Sequence, residues 1–230
     1  MKRMTNETIG ISAEIAIADT FKISVENNYR KRGDTKTINA IKKIVKAVFS
    51  KYKIPKPKKH IAEKQNPNDF ELIGGKTLSV KTNEKKLGKV APQNVGQPTS
   101  TTYFEHFESI ITEPIPKEYE KRRELFKKIS VSEVDKVFTI YWQNLFHSDY
   151  YIHFYNVHNN VDFKVFGKLP LPAIKKSDFS FTHITKNKEW YEGTTLKYND
   201  ITIGEFQAHQ VRDCFKFRFD IDGIIKAFLL

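Results

Sequence analysis

The period of the apolar positions changes along the chain, and each change marks an element. Residues 8–22 are apolar nearly all round (Ile9, Ile11, Ala13, Ile15, Ala16, Ile17, Ala18, Phe21), which predicts a buried helix with Glu14 inside it and no cation nearby in sequence. A carboxylate in so apolar a helix needs a partner or a metal ion, unless it lies on the one exposed stripe. Residues 36–52 predict a second helix: Ile38, Ile41, Val45, Val48 and Tyr52 recur at helical spacing, with Lys42, Lys43 and Lys46 on the other face. Lys53–Lys59, stiffened by Pro55 and Pro57, reads as a basic connection.

The period then falls to two. Asn68–Asn83 alternates around Gly74-Gly75 and predicts a β-hairpin. A loop of Gly74 to Lys76 pairs Ile73 with Thr77, Glu71 with Ser79 and Asp69 with Lys81. Asp69, Glu71, Ser79 and Lys81 then share one polar face, while Phe70, Leu72, Leu78 and Val80 form the buried one. This register is preferred over a two-residue loop because it separates polar from apolar completely.

A long polar stretch follows, Glu84 to Thr102. Asn94, Gln97 and the Thr99–Thr102 run are suited to hydrogen-bond phosphates or to cap the next helix, which carries Tyr103, Phe104, Phe107, Ile110 and Ile111. Pro114 and Pro116 break that helix, and a charged helix is predicted over about 117–130. Strands are predicted at 136–142, 149–157, 161–166, 201–207 and 214–220, with a hairpin tip at Ala208–Asp213. The fold class expected is therefore α/β: a mixed central sheet flanked by helices, with extra β-hairpins in the C-terminal half. It is read as one domain over 1–230, with a catalytic core at about 8–110 and recognition additions at about 136–230.

Composition narrows the partners. Thirty-nine Lys and Arg against 27 Asp and Glu give a net charge of +12, and residues 42–64 hold nine lysines against one glutamate. Such a balance favours a polyanion, nucleic acid first and an anionic membrane second. No apolar run approaches the ~18 residues of a membrane span, and the N-terminus lacks the apolar core of a signal peptide. The single cysteine, Cys214, excludes a disulfide framework and a Cys-rich zinc site, and fits a reducing cytosol. His147, His153 and His158 lack metal-ligand spacing and read as structural or surface residues. Gly74-Gly75-Lys76-Thr77 lacks the upstream glycine of a phosphate-binding loop, and no Gly-x-Ser-x-Gly elbow occurs.

On a basic chain, an aspartate and a lysine at the end of a hairpin suit phosphodiester hydrolysis, which needs acidic metal ligands, a positioned water and a cation near the developing charge. Asp69 is the candidate central Mg²⁺ ligand, the Val80 carbonyl a second oxygen, Lys81 the group that orients the water, and Glu14 the residue that completes the acidic set.

Asp69, the strand and turn after it, and Ser79-Val80-Lys81 resemble the PD-(D/E)XK nuclease motif, with Glu14 on the preceding helix. Leu78–Asn83, Gly96-Gln97-Pro98 and Gly204–Gln210 are also similar to bacterial type II restriction endonucleases. The resemblance implies a restriction-endonuclease-like sheet, Mg²⁺-dependent cleavage of duplex DNA at a short sequence, and a place in the bacterial cytoplasm at the nucleoid. The chain departs from the pattern at Ser79, where the family carries Asp or Glu and a hydroxyl is a much weaker ligand. Glu14 or Glu71 would make up the charge, or fewer metals bind.

Gln207, His209, Gln210 and Arg212 are the candidate base readers, since Gln matches adenine and Arg guanine in the major groove. A palindromic site would suit a homodimer, though a monomer also serves. Two rivals remain: a repair or recombination nuclease on the same core, and an inactive nucleic-acid-binding protein, for which Ser79 is the motivating residue.

Overall fold

The computed structural model describes residues 5–62, 66–182, 190 and 192–229; Glu63 and Lys64 of the lysine-rich run, and Met1–Met4, lie outside them. The chain forms two compact units, Met1–Leu87 with Phe146–Leu169, and Gly88–Leu145 with Pro170–Leu230. No described helix is long and apolar enough to cross a membrane.

The first unit opens with α1 (Asn6–Phe21), capped by the Thr5 hydroxyl accepting the Thr8 amide at 3.2 Å. A short α2 (Asn27–Arg30) leads to α3 (Thr35–Lys51), where the Asp34 carboxylate accepts the Thr37 amide at 2.8 Å. Helix α1 is buried along almost its whole length, and α3 turns Ile41, Val45, Val48 and Phe49 to the same core. Strands β1 (Pro57–His60), β2 (Phe70–Leu72), β3 (Thr77–Thr82), β5 (Tyr150–Tyr155) and β6 (Asp162–Gly167) form a sheet in the order β1-β2-β3-β5-β6. Only the β3–β5 pair among these is parallel, so the sheet is mixed, with α1 packed against β3.

The segment Pro57–His60, expected as a connection, is an edge strand; Pro57 sits at its start, where a missing N–H costs least. The hairpin forms, but in a register two residues from the expected one. Phe70 pairs with Leu78 and Glu71 with Thr77, and the Leu72 amide meets the Lys76 carbonyl at 2.7 Å. The loop is therefore Ile73-Gly74-Gly75. Its two glycines hold φ of +85° and +72°, a region that side chains resist, so they set the centre of the turn. A shift of two keeps every side chain on its face. Phe70, Leu72, Leu78 and Val80 are buried as expected, but Asp69 now stands level with Ser79, not Lys81.

The second unit holds β4 (Lys89–Val90), a 3₁₀ helix at Phe104–Ile110, α4 (Tyr119–Ser132), α5 (Val134–Leu145), β7 (Phe179–Thr182), β8 (Gly193–Tyr198), β9 (Ile201–His209), β10 (Cys214–Asp220) and α6 (Ile221–Phe228). Its strands make an antiparallel sheet, β4-β10-β9-β8-β7. The predicted strand at 136–142 is instead part of α5. Val134, Val137, Phe138, Tyr141, Trp142 and Leu145 are its buried residues, a helical stripe that a short apolar run disguises. Aromatic packing fills this core: Tyr141 stacks on Phe217 at 4.2 Å and Phe126 on Phe215 at 4.4 Å. Strands β5 and β6 return to the first sheet, while residues 88–110 belong with the second unit.

Candidate active site

Strand β2 begins at Phe70, so β3 outruns its neighbour, and Asp69 occupies the step between them. Its backbone still continues the ladder: the Asp69 amide donates to Leu78 at 3.0 Å and its carbonyl accepts from Ile61 at 2.9 Å. Its side chain takes over where the ladder stops. Oδ2 accepts the Val80 amide at 2.5 Å and the Ser79 hydroxyl at 3.3 Å. Strand alternation sends the Val80 carbonyl to the same side as its N–H, past the end of β2.

Asp69 is only 4% exposed. Burial raises its carboxyl, the Lys81 ammonium pulls it back, the nearby Glu14 charge raises it and the Val80 amide lowers it, with the net result that it is pushed up to about 6. Lys81 follows Ser79 on the same face of β3, diagonal to Asp69, and on the other side is in register with His153 of β5. His153 is fully buried, with Nε2 2.7 Å from the Asn83 amide oxygen. Burial, and then the Lys81 charge, hold it down at about 3, so its ring is neutral. Two buried polar atoms on this face, the Tyr151 hydroxyl and His153 Nδ1, have no hydrogen-bond partner among the described residues. Orphaned polar atoms are rare in a packed interior and mark places where water, an ion or a substrate is received.

Glu14 is brought to this site from α1, and it has partners. Tyr29 Oη donates to its Oε2 at 2.6 Å, and His60 Nε2 lies 2.8 Å from the same oxygen. Burial first, and then the Glu14 charge, raise the Tyr29 hydroxyl well above its usual range, so it stays a donor. The His60 ring is wedged edge-on between Tyr29 and Phe70, with centroids 4.9 and 5.1 Å away. Neither Tyr29 nor His60 carries a sequence signal. They lie 15 and 46 positions from Glu14, and only folding joins them.

Glu71 does not face Ser79 as expected. It is opposite Thr77 and its carboxylate meets Lys58 Nζ at 2.7 Å. Among the described residues no group of three or more His, Cys, Asp or Glu side chains is placed to hold a metal ion. Asp69, the Val80 carbonyl and Glu14 are instead a sparse oxygen set. Mg²⁺ accepts such a set, since it keeps several waters and uses one or two carboxylates with substrate phosphate. A dication would also offset the burial cost of the Asp69 carboxylate.

The recognition candidates lie in the second unit. Gln207 and His209 share one side of β9, with His209 Nε2 3.1 Å from Gln207 Oε1. Gln210 and Arg212 are exposed in the turn to β10. Gln97 is exposed and hydrogen-bonds the Cys214 thiol, while Asn94 is exposed in the preceding loop. Thr99 takes the capping role, its hydroxyl accepting the Thr102 amide at 3.2 Å.

No protein-family model matches the chain. Over 166 residues, 70% of its length, it is 33% identical to the type II restriction enzyme CviAII of Paramecium bursaria Chlorella virus 1. The match spans 44% of that protein, so the chain corresponds to less than half the length of the curated relative it matches.

Proposed function

We propose that the chain is a type II restriction endonuclease that hydrolyses duplex DNA with Mg²⁺ at a PD-(D/E)XK-type site. One observation carries this reading: the buried Asp69 carboxylate at the end of β2, under the charge of Lys81 from the neighbouring strand. The similarity to a type II restriction enzyme supports it.

Asp69, the Val80 carbonyl and Glu14 would hold the ion. Bound Mg²⁺ would supply Lewis-acid polarisation of phosphoryl oxygens and a more acidic water. The rest falls to the chain's own residues. Lys81 orients the attacking water with its ammonium donors and neutralises charge that develops on the phosphate. Tyr29 and His60 fix the Glu14 carboxylate in one orientation, so it need not reorganise during reaction. Ser79 contributes a hydroxyl to Asp69 in place of the family's carboxylate, and Glu14 supplies the second negative charge. The neutral His153 beside Lys81 adds no competing positive charge.

The test is incubation of the purified protein with phage DNA, in Mg²⁺ or in EDTA, beside Lys81→Ala. Discrete fragments that need Mg²⁺ and vanish in the variant are expected. A smear would move the reading to a repair or recombination nuclease. Intact DNA, bound but uncut, would move it to the binding protein that Ser79 suggests.

A further inference from the structure

Strands β9 and β10 are bound on both flanks nearly to their tip. On one side β8 pairs as far as Gln207, and the Ala208 amide donates to the Glu192 carbonyl at 2.8 Å. On the other, the Gly96 and Pro98 carbonyls accept from the Phe217 and Phe215 amides, and the Ser100 amide donates to the Asp213 carbonyl at 2.8 Å. Only the turn projects. It is closed by the Asp213 amide donating to Gln210 at 3.0 Å, and pinned from behind because Arg122 Nε donates to the Ser100 hydroxyl, which donates to the Asp213 carboxylate.

Val211 at the apex of this pinned turn is fully exposed, at 101% of its reference surface. An apolar side chain held out on a rigid tip contributes nothing to the core. Below it, Lys216 pairs across the ladder with Gln207 and is partly buried. Glu205, the carboxylate of this face, is already bridged by Lys89 and by Arg218, whose Nε donates to it at 2.7 Å. Among the described residues neither Lys216 nor Arg212 has a carboxylate within ion-pair distance. A half-buried ammonium near Arg218 and Arg212 is an electrostatic cost until an anion meets it.

Distance divides the labour. Three residue steps separate Gln207 from Gln210 and Asp213 from Lys216, about 10 Å at ~3.3 Å per residue. The major groove is about 8.5 Å deep. A turn that reaches the groove floor therefore leaves the Gln207–Lys216 rung level with the phosphates of its wall. We propose that base reading is confined to Gln210, Val211 and Arg212, with Val211 against a thymine methyl, and that Lys216 with Gln207 clamps a backbone phosphate. This rests on the nuclease reading, and it withdraws Gln207 and His209 from the base readers.

The experiment uses the full chain and a duplex library with randomised central positions, cut in Mg²⁺ and sequenced at the ends, with binding followed against salt in EDTA. Lys216→Gln should keep the cut-site preference, weaken binding to all sequences about tenfold, and lower the slope of log K against log salt by about 0.9; Lys216→Arg should restore it. Arg212→Ala and Val211→Ala should each relax preference at one position, by about 10- to 100-fold for arginine. A changed preference in Lys216→Gln, or an unchanged one in both turn variants, overturns the division. A wild-type chain that neither binds nor cuts the library overturns the nuclease reading itself, and the assignment with it.

Discussion

The Asp69 carboxylate accepts the backbone N–H of Val80 at 2.5 Å, doing the work of a strand residue that β2 does not supply. One group thus completes a sheet ladder and is the acid on which the proposed site is centred. Its burial has consequences for stability as well as for chemistry.

Asp69 titrates near 6 when folded and near 3.8 when unfolded. Between about pH 4 and 6 the folded state binds more protons, so stability falls as pH rises through that window, and the penalty is complete above it. Asp69→Asn keeps an oxygen for the Val80 amide and removes the charge. We expect it to be inactive yet about 1–3 kcal/mol more stable at pH 7.5, with the gain gone at pH 3.5. Urea unfolding at both pH values checks this, and a less stable variant at pH 7.5 sinks the argument.

Metal binding has a readout apart from cleavage. Added Mg²⁺ should raise the thermal midpoint of the wild-type chain and leave that of Asp69→Asn where it was, since a ligand stabilises only a state that binds it. Equal shifts in the two proteins would remove Asp69 from the ion's ligands.

Lys81→Met keeps the alkyl stem and loses the ammonium. Cleavage should fall by about 10²–10⁴-fold while binding to duplex DNA in EDTA changes little. A loss of binding equal to the loss of rate would make Lys81 a binding residue and not a catalytic one.

Tyr29 and Glu14 should be energetically coupled. Tyr29→Phe strips a donor from a buried carboxylate, at a cost of about 1–3 kcal/mol. In a Glu14→Gln background the cost should be smaller by about 1 kcal/mol, because hydrogen bonds to charged groups are the stronger ones. Additive effects across the cycle would show that the 2.6 Å contact carries no orientation energy.

Gly223 of α6 lies against β9 so closely that an added Cβ would sit 1.7 Å from the Thr202 carbonyl oxygen. Gly223→Ala should therefore lift the helix from the sheet and cost about 2–3 kcal/mol. Denaturant unfolding of the variant measures it, and an unchanged midpoint would mean the helix moves freely.

The local pattern along the chain was enough to place α1, α3, the hairpin faces, β5, β6, β9 and β10, because each follows from a period that neighbouring residues create. It was enough to single out Asp69, Ser79, Val80 and Lys81 as one cluster, since parity along two joined strands survives a register shift of two. It failed at α5, where the short, mostly apolar run 137–142 fits either period, and at β1, where Lys58 and Lys59 hide an edge strand.

Tertiary structure alone decided what surrounds those residues. The turn conformation of Gly74 and Gly75 set Asp69 level with Ser79. Pairing of β3 with β5, 72 positions apart in sequence, brought His153 beside Lys81 and Tyr151 beside Ser79. The fold of α1 against α2 and β1 gave Glu14 its partners in Tyr29 and His60. The reason is physical: period and parity are properties of adjacent residues, whereas hydrogen-bond partners and burial depend on contacts between distant ones.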